Sequence, residues 1–132
     1  MEEVNKVFHT PNNLPWICNS NYEGKTTIPY LPSWLYLACY YKGKILGVVV
    51  GIPSNSPEEL QVHLAFYPSA YGKVRNIGKE VLQWLQKNTD YLYFVGLVNK
   101  NNEKAKALVL DLGFKFYSHS EHDLDAFIYK RL

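Results

Sequence analysis

The stretch from Leu60 to Lys87, LQVHLAFYPSAYGKVRNIGKEVLQWLQK, constrains the fold more than any other part of the chain. Val62, Leu64 and Phe66 alternate with Gln61, His63, Ala65 and Tyr67, the period of a strand with two unlike faces. Pro68 lacks the N–H that a sheet ladder needs and ends that strand. Beyond a short turn, Val74, Ile77, Val81 and Leu85 recur at helical spacing, and Leu82 and Trp84 widen the stripe, which places Trp84 on the core side. A strand that feeds a helix through a glycine-bearing turn leaves the first helical amides without partners, at the positive end of the dipole. Lys73, Arg75 and Lys79 crowd that end, where cations disfavour the helix itself. An anion, with the shape of a pyrophosphate, is one reading of this conflict; a solvated basic turn is the other.

The chain of 132 residues is expected to form one domain, with an irregular arm over 1–32 and a core over 33–132. A hydrophobic content of 47% with 20% charged residues is a globular balance. A net charge of +2 argues against a nucleic-acid surface or a polybasic membrane anchor. The run Ile45–Ile52 is too short to span a bilayer, and the polar N-terminus lacks a signal core. Cys18 and Cys39 form no metal or redox spacing, so a reduced, cytoplasmic protein is the expectation.

In the arm, Pro11, Pro15, Pro29 and Pro32 with interspersed asparagines predict irregular structure. WLYLACYY and KILGVVVGI read as a hairpin turning at Lys42–Gly43. The second of these strands is apolar on both faces and belongs inside a covered sheet, with Gly47 and Gly51 marking close approach or a bulge. With the Leu60 strand they make an antiparallel meander. YLYFVGLV, Tyr91 to Val98, follows the central helix and reads as a buried strand parallel to the Leu60 strand. Asn99, Asn101 and Asn102 supply turn and N-cap residues, and Ala105, Leu108, Val109 and Leu112 make one face of a second helix. Gly113 suits a left-handed C-cap with Phe114 packing back. Two strands, KFYSHS and AFIYKRL, finish the chain around a charged turn. His119, Glu121, His122 and Asp123 could be drawn as a metal cluster, but a charged hairpin turn explains them. Tyr36, Tyr40 and Tyr41 read as sheet residues, with a substrate-lining role as the alternative.

This order, with Asn102, Ala105, Leu108, Val109, Gly113 and Phe114, resembles the GNAT N-acetyltransferase superfamily, whose second signature reads N-x-x-A-x-x-L-Y-x-x-x-G-F. Every position agrees except the tyrosine, which is Val109. The family's pyrophosphate loop, Q/R-x-x-G-x-G/A, corresponds to Lys73, Val74, Arg75, Asn76, Ile77 and Gly78, of which the last glycine is kept. The resemblance implies an α/β fold with a mixed sheet of about six strands and helices on both faces. It also implies acetyl-CoA as cofactor and transfer of its acetyl group to an amine acceptor. The pyrophosphate would lie on the amides of Arg75 to Gly78 with Lys73, Val74 and Lys79 beside it. Leu64, Ala65 and Phe66 would pair with the pantetheine arm, and Asn102 would contact the cofactor. The family uses a base on the strand before the loop, where this chain offers His63; Gln61 cannot serve. Its acid is the missing tyrosine, for which Tyr71, Tyr93 or Tyr117 would have to substitute. More loosely, the chain resembles short GNAT-like proteins of tailed bacteriophages, some of them internal virion or head-assembly proteins. That likeness implies an alternative: a catalytically inactive, virion-associated interaction protein with a protein partner or self-association.

Overall fold

A computed structural model describes residues 32–70, 72–119 and 123–132. The readings that rest on residues 1–31, Tyr71, Glu121 and His122 lie outside them. The described chain runs β1 (Leu35–Tyr41), β2 (Lys44–Pro53), β3 (Glu59–Phe66), a 3-10 turn (Pro68–Ala70), α1 (Val74–Asn88), β4 (Tyr93–Asn99), α2 (Glu103–Asp111), β5 (Lys115–His119) and β6 (Leu124–Lys130). The six strands make one mixed sheet in the order β1-β2-β3-β4-β6-β5, in which β3 and β4 are the parallel pair.

The hairpin β1–β2 turns through Lys42 and Gly43, both at positive φ, as a two-residue turn matched to strand twist requires. The expected bulge sits at Leu46, where the register jumps from Cys39–Gly47 to Tyr40–Ile45. Gly47 also meets the close approach read from its sequence: a Cβ there would lie 2.6 Å from the Ala65 carbonyl oxygen. α2 ends in Gly113 at φ 100°, with Gly113 N–H donating to the Leu110 carbonyl and Phe114 N–H to that of Val109. This is the double bond pattern of a left-handed helix cap. Phe114 then turns back into the core beside Tyr129, with ring centroids 5.4 Å apart.

Both described helices pack on one face of the sheet. Val81, Leu82 and Leu85 of α1 join Val49, Leu60, Val62, Phe94, Val98 and Phe127 from the strands in one core. Each such side chain fully withdrawn from water contributes about 1.5–3 kcal/mol before entropy is counted. Val48, Val50 and Ala65 point to the opposite face and form a second cluster with Trp34, Tyr36, Ile52 and Tyr67. Of the helices expected on both faces, those described lie on the first. Trp84 is not a core residue: it is 40% exposed, because it sits about 100° around α1 from the stripe centred on Val81 and Leu85.

The C-terminus of α1 is closed by a residue from the other end of the chain. The Arg131 guanidinium donates to the carbonyls of Gln86, Thr89 and Tyr91, the last at 2.8 Å. A cation there satisfies the Gln86 carbonyl in the last turn and the Thr89 carbonyl at the cap, and complements the helix dipole.

Candidate functional site

The central parallel pair does not stay paired. β3 and β4 are joined at Glu59–Tyr93, Leu60–Phe94 and Gln61–Val95, and there the ladder ends. β3 remains paired with β2 as far as Phe66–Gly47, and β4 with β6 as far as Asn99–Leu124. The sheet is therefore split down its middle toward the carboxyl ends of the two strands. That is also where α1 begins, and where open α/β sheets place their ligands.

A cavity of about 240 Å³ fills the split on the helical side. Val62, Leu64 and Phe66 wall it from β3, and Gly96, Leu97, Val98 and Asn99 from β4. Gly78, Val81, Leu82 and Leu85 roof it from α1; Ala105, Leu108, Val109 and Leu112 do so from α2. The wall from β4 was not legible in the sequence. Its one signal was Gly96, a glycine inside an otherwise bulky strand.

At the mouth stands the amino end of α1. Lys73 occupies the N-cap and makes no side-chain cap. Among the described residues nothing accepts from the amides of Val74, Arg75 and Asn76, whereas Ile77 N–H donates to the Lys73 carbonyl. This corrects the expected set of donors. Ile77 and Gly78 lie inside the helix, so among the described residues the amides without an acceptor are those of 74–76. Gly78 has another role, since a Cβ on it would stand 2.7 Å from Leu112 Cδ1: it lets α1 and α2 approach. Lys73, Arg75, Asn76 and Lys79 are exposed. Lys73 Nζ lies 4.9 Å from the centroid of the Tyr41 ring, which ties the basic end of α1 to the β1–β2 hairpin.

His63 is the one titratable side chain among the described residues that line the cavity. The strand alternation puts it with Ala65 on the face away from the helices, beside the split. Its Nε2 lies 3.1 Å from Gln61 Oε1, which as an acceptor fixes the proton on Nε2 and leaves Nδ1 as the free acceptor. Desolvation lowers its pKa from 6.5 to about 4, so the imidazole is neutral at pH 7.

The other expected residues divide. Asn102 lines the cavity, yet its Oδ1 accepts from Ala105 N–H at 3.1 Å and so caps α2. Leu64 and Phe66 face the cavity, while Ala65 faces away. Val109 lines the cavity where the resembling family has its acid, and it has nothing to donate. Tyr117, named as a candidate for that role, lies elsewhere. Its side chain is 64% exposed on the edge strand β5, at a bulge between Phe116 and Ser118, and it does not reach the cavity. His119 belongs to no metal cluster among the described residues. Its Nδ1 bonds Asp125 Oδ1 at 2.7 Å, and Lys106 Nζ lies 3.4 Å from the other carboxylate oxygen.

No family model matches the sequence, and no curated protein matches it. Solved structures do. One is the N-acetyltransferase PseH of Campylobacter jejuni in complex with acetyl coenzyme A, with a TM-score of 0.68 at 19% identity over 76% of this chain and 70% of that one. The Microcin C7 self immunity acetyltransferase MccE, in complex with acetyl-CoA and AMP, matches with a TM-score of 0.63 at 23% identity. That match covers 74% of this chain and 61% of MccE, so the chain spans about three fifths of that protein's length. A domain from Methanocaldococcus jannaschii covers 98% of this chain and 90% of its own, with a TM-score of 0.74 at 17% identity. At these identities the likeness establishes the fold, that of the GNAT acetyltransferases. It lends no support to the looser resemblance to phage proteins.

Proposed function

We propose that this chain binds a coenzyme A thioester in the split between β3 and β4 and passes its acyl group to an amine. The observation that carries the reading is the coincidence of three features at one place. The parallel pair opens after Gln61–Val95, the amides of 74–76 at its mouth have no acceptor among the described residues, and an apolar cavity runs between them. PseH and MccE, which share the fold, were solved with acetyl-CoA.

The residues fit the parts of that molecule. The amides of Val74, Arg75 and Asn76, with Lys73, Arg75 and Lys79 beside them, would hold the pyrophosphate. The backbone of Leu64 and Ala65, beyond the last β3–β4 pair, would offer a strand edge to the amides of the pantetheine arm. The thioester supplies an acyl carbon that an amine can attack. A C–N bond forms, the C–S bond breaks, the amine gives up a proton and the thiolate takes one. His63 Nδ1, on the side of the split away from the helices, would accept the amine proton directly or through water. No described side chain on the cavity wall other than His63 can supply the proton to sulfur, so the thiolate takes it from solvent or from the histidine.

Isothermal titration with CoA tests the reading. Binding is expected in the micromolar range, and the Lys73→Ala, Arg75→Ala double variant is expected to bind at least tenfold more weakly. No heat at millimolar CoA would overturn it. Val109 favours a second reading, a GNAT fold kept for protein interaction or self-association without catalysis. That reading expects bound CoA or none, but no thiol release from acetyl-CoA with any amine offered. Amine-dependent thiol release removes it.

A further inference from the structure

We infer that two copies of this chain pair through the outer edge of β5, as antiparallel neighbours across a two-fold axis that passes between Tyr117 and Ser118. The inference is independent of the CoA reading and concerns a surface that the cleft does not use.

The first observation is that this edge is bare. β5 ends the sheet order, so among the described residues no strand lies on its outer side. All five of its residues are exposed. Such an edge offers a row of N–H and C=O groups to another strand, and natural proteins blunt it with charge or proline. Here the sequence is KFYSH, with no proline, polar residues toward its ends and two aromatic residues in its middle. The opposite edge differs. The first three residues of β1 are half-buried, and its far end runs into Lys42 and Lys44.

The second observation is that exposed apolar surface gathers there. Phe116 and Tyr117 are each at least half exposed, although the Phe116 ring meets Phe127 edge-on at 5.8 Å between centroids. Leu110 is also more than half exposed. It follows Lys106 by one turn on the same side of α2, and Lys106 reaches Asp125 of β6, so Leu110 stands over the same wing of the sheet.

The third observation selects the occupant. Phe116 lies opposite Phe127, and His119 opposite Asp125. Phe127 belongs to the core under the helices and Asp125 meets Lys106 of α2, so Phe116 and His119 both stand on the helical side, with ring centroids 5.1 Å apart. Between them the bulge sets two residues, Tyr117 and Ser118, against one, Ala126, which by alternation points to the far side. From Phe116 to His119 the faces therefore run helical, far, far, helical, and read the same in both directions. Residues opposite each other in an antiparallel pair share a face. A two-fold axis between Tyr117 and Ser118 sets Phe116 against His119 of the second copy, and Tyr117 against its Ser118. A slip of one residue either way breaks the match. Another protein's strand would have to carry this pattern by coincidence, whereas a second copy carries it by symmetry.

The area is sufficient for reversible pairing. Aromatic side chains bury about 150–250 Å² when covered, so Phe116 and Tyr117 hold roughly 100 Å² apiece in reserve. With Leu110, the flanking side chains and the strand backbones, two copies bury on the order of 1,000 Å² in total, the lower bound of a specific interface.

Sedimentation velocity from about 1 to about 200 μM tests the inference; a monomer–dimer equilibrium with a Kd of roughly 10 μM is expected. Tyr117→Lys, checked for folding by circular dichroism, puts a charge in the middle of the edge and is expected to weaken dimerisation at least tenfold. Tyr40→Lys, the same change on the β1 edge, is expected to dimerise as the wild type does. Hydrogen exchange at the amides of β5 is expected to slow as concentration rises, with no change in β2. A wild type that stays monomeric at the highest concentration overturns the inference. So does a dimer that folded Tyr117→Lys leaves intact, that Tyr40→Lys abolishes, or that forms without protecting β5. If Tyr117→Lys does not fold, the concentration dependence of β5 exchange decides alone.

Discussion

His63 is held neutral by its surroundings, and that gives the protein a pH dependence with a definite sign. Its folded pKa is about 4 against 6.5 for an unperturbed imidazole. Between those values the unfolded chain binds a proton that the folded chain refuses, so stability is full above about pH 6.5 and falls as pH drops toward 4. The half-buried ring limits the effect to the order of 2 kcal/mol. His63→Asn is expected to flatten the melting temperature between pH 7 and pH 4.5, where the wild type declines; thermal melts at the two pH values check it. Asp125 acts lower. The hydrogen bond from His119, and Lys106 beside it, hold its carboxyl below 3.8, so its contribution is present above that value and lost as pH falls further. At this scale the sequence was partly legible. The alternation of β3 put His63 on the correct face, and the asparagine before α2 is the cap it was read to be. Tyr117 and Trp84 misled, because an aromatic residue in a patterned segment looks the same whether its side chain meets a core or faces solvent.

Among the elements, α1 carries the most consequence. Lys73 at its amino end makes no side-chain cap, and its carboxyl end is closed by Arg131 through three carbonyls, a contact that no local pattern announces. Charge-assisted bonds to otherwise unsatisfied carbonyls are worth about 1.5–3 kcal/mol each at most and do not add fully. Arg131→Ala is therefore expected to lower stability by about 2–3 kcal/mol, measured by urea denaturation, while CoA still binds because the far end of the helix is untouched. Restoration by Arg131→Lys would be poor, since an ammonium cannot reach three carbonyls in the fork geometry of a guanidinium. The elements themselves were well marked: Pro68 ends β3, Asn102 starts α2, and Gly113-Phe114 stops it. The boundaries differ by a residue or two, as frayed ends do.

For the molecule as a whole, the decisive feature is that the sheet is continuous at its two wings and open in the middle. Hydrogen exchange reads this directly. Amides of Val62 to Ala65 that face β4 are expected to exchange faster than those of β2, which is paired on both sides, and to slow when CoA is added. Equal protection without CoA would mean the two central strands are joined in solution and the cleft does not exist. Protection that CoA leaves unchanged would mean the cofactor does not enter there.

Local chemistry was enough to write down the strands, the two helices, the caps of α2 and the order that makes an α/β domain of this architecture, because each depends on residues a few positions apart. The cleft did not follow from any such pattern. Where β3 and β4 part, that Gly78 serves helix packing, and that Arg131 closes a helix more than forty residues away are all set by contacts between distant segments. Those contacts exist only once the sheet has assembled, since a backbone group's partner is chosen by which strand lies beside it and not by its neighbours in the chain.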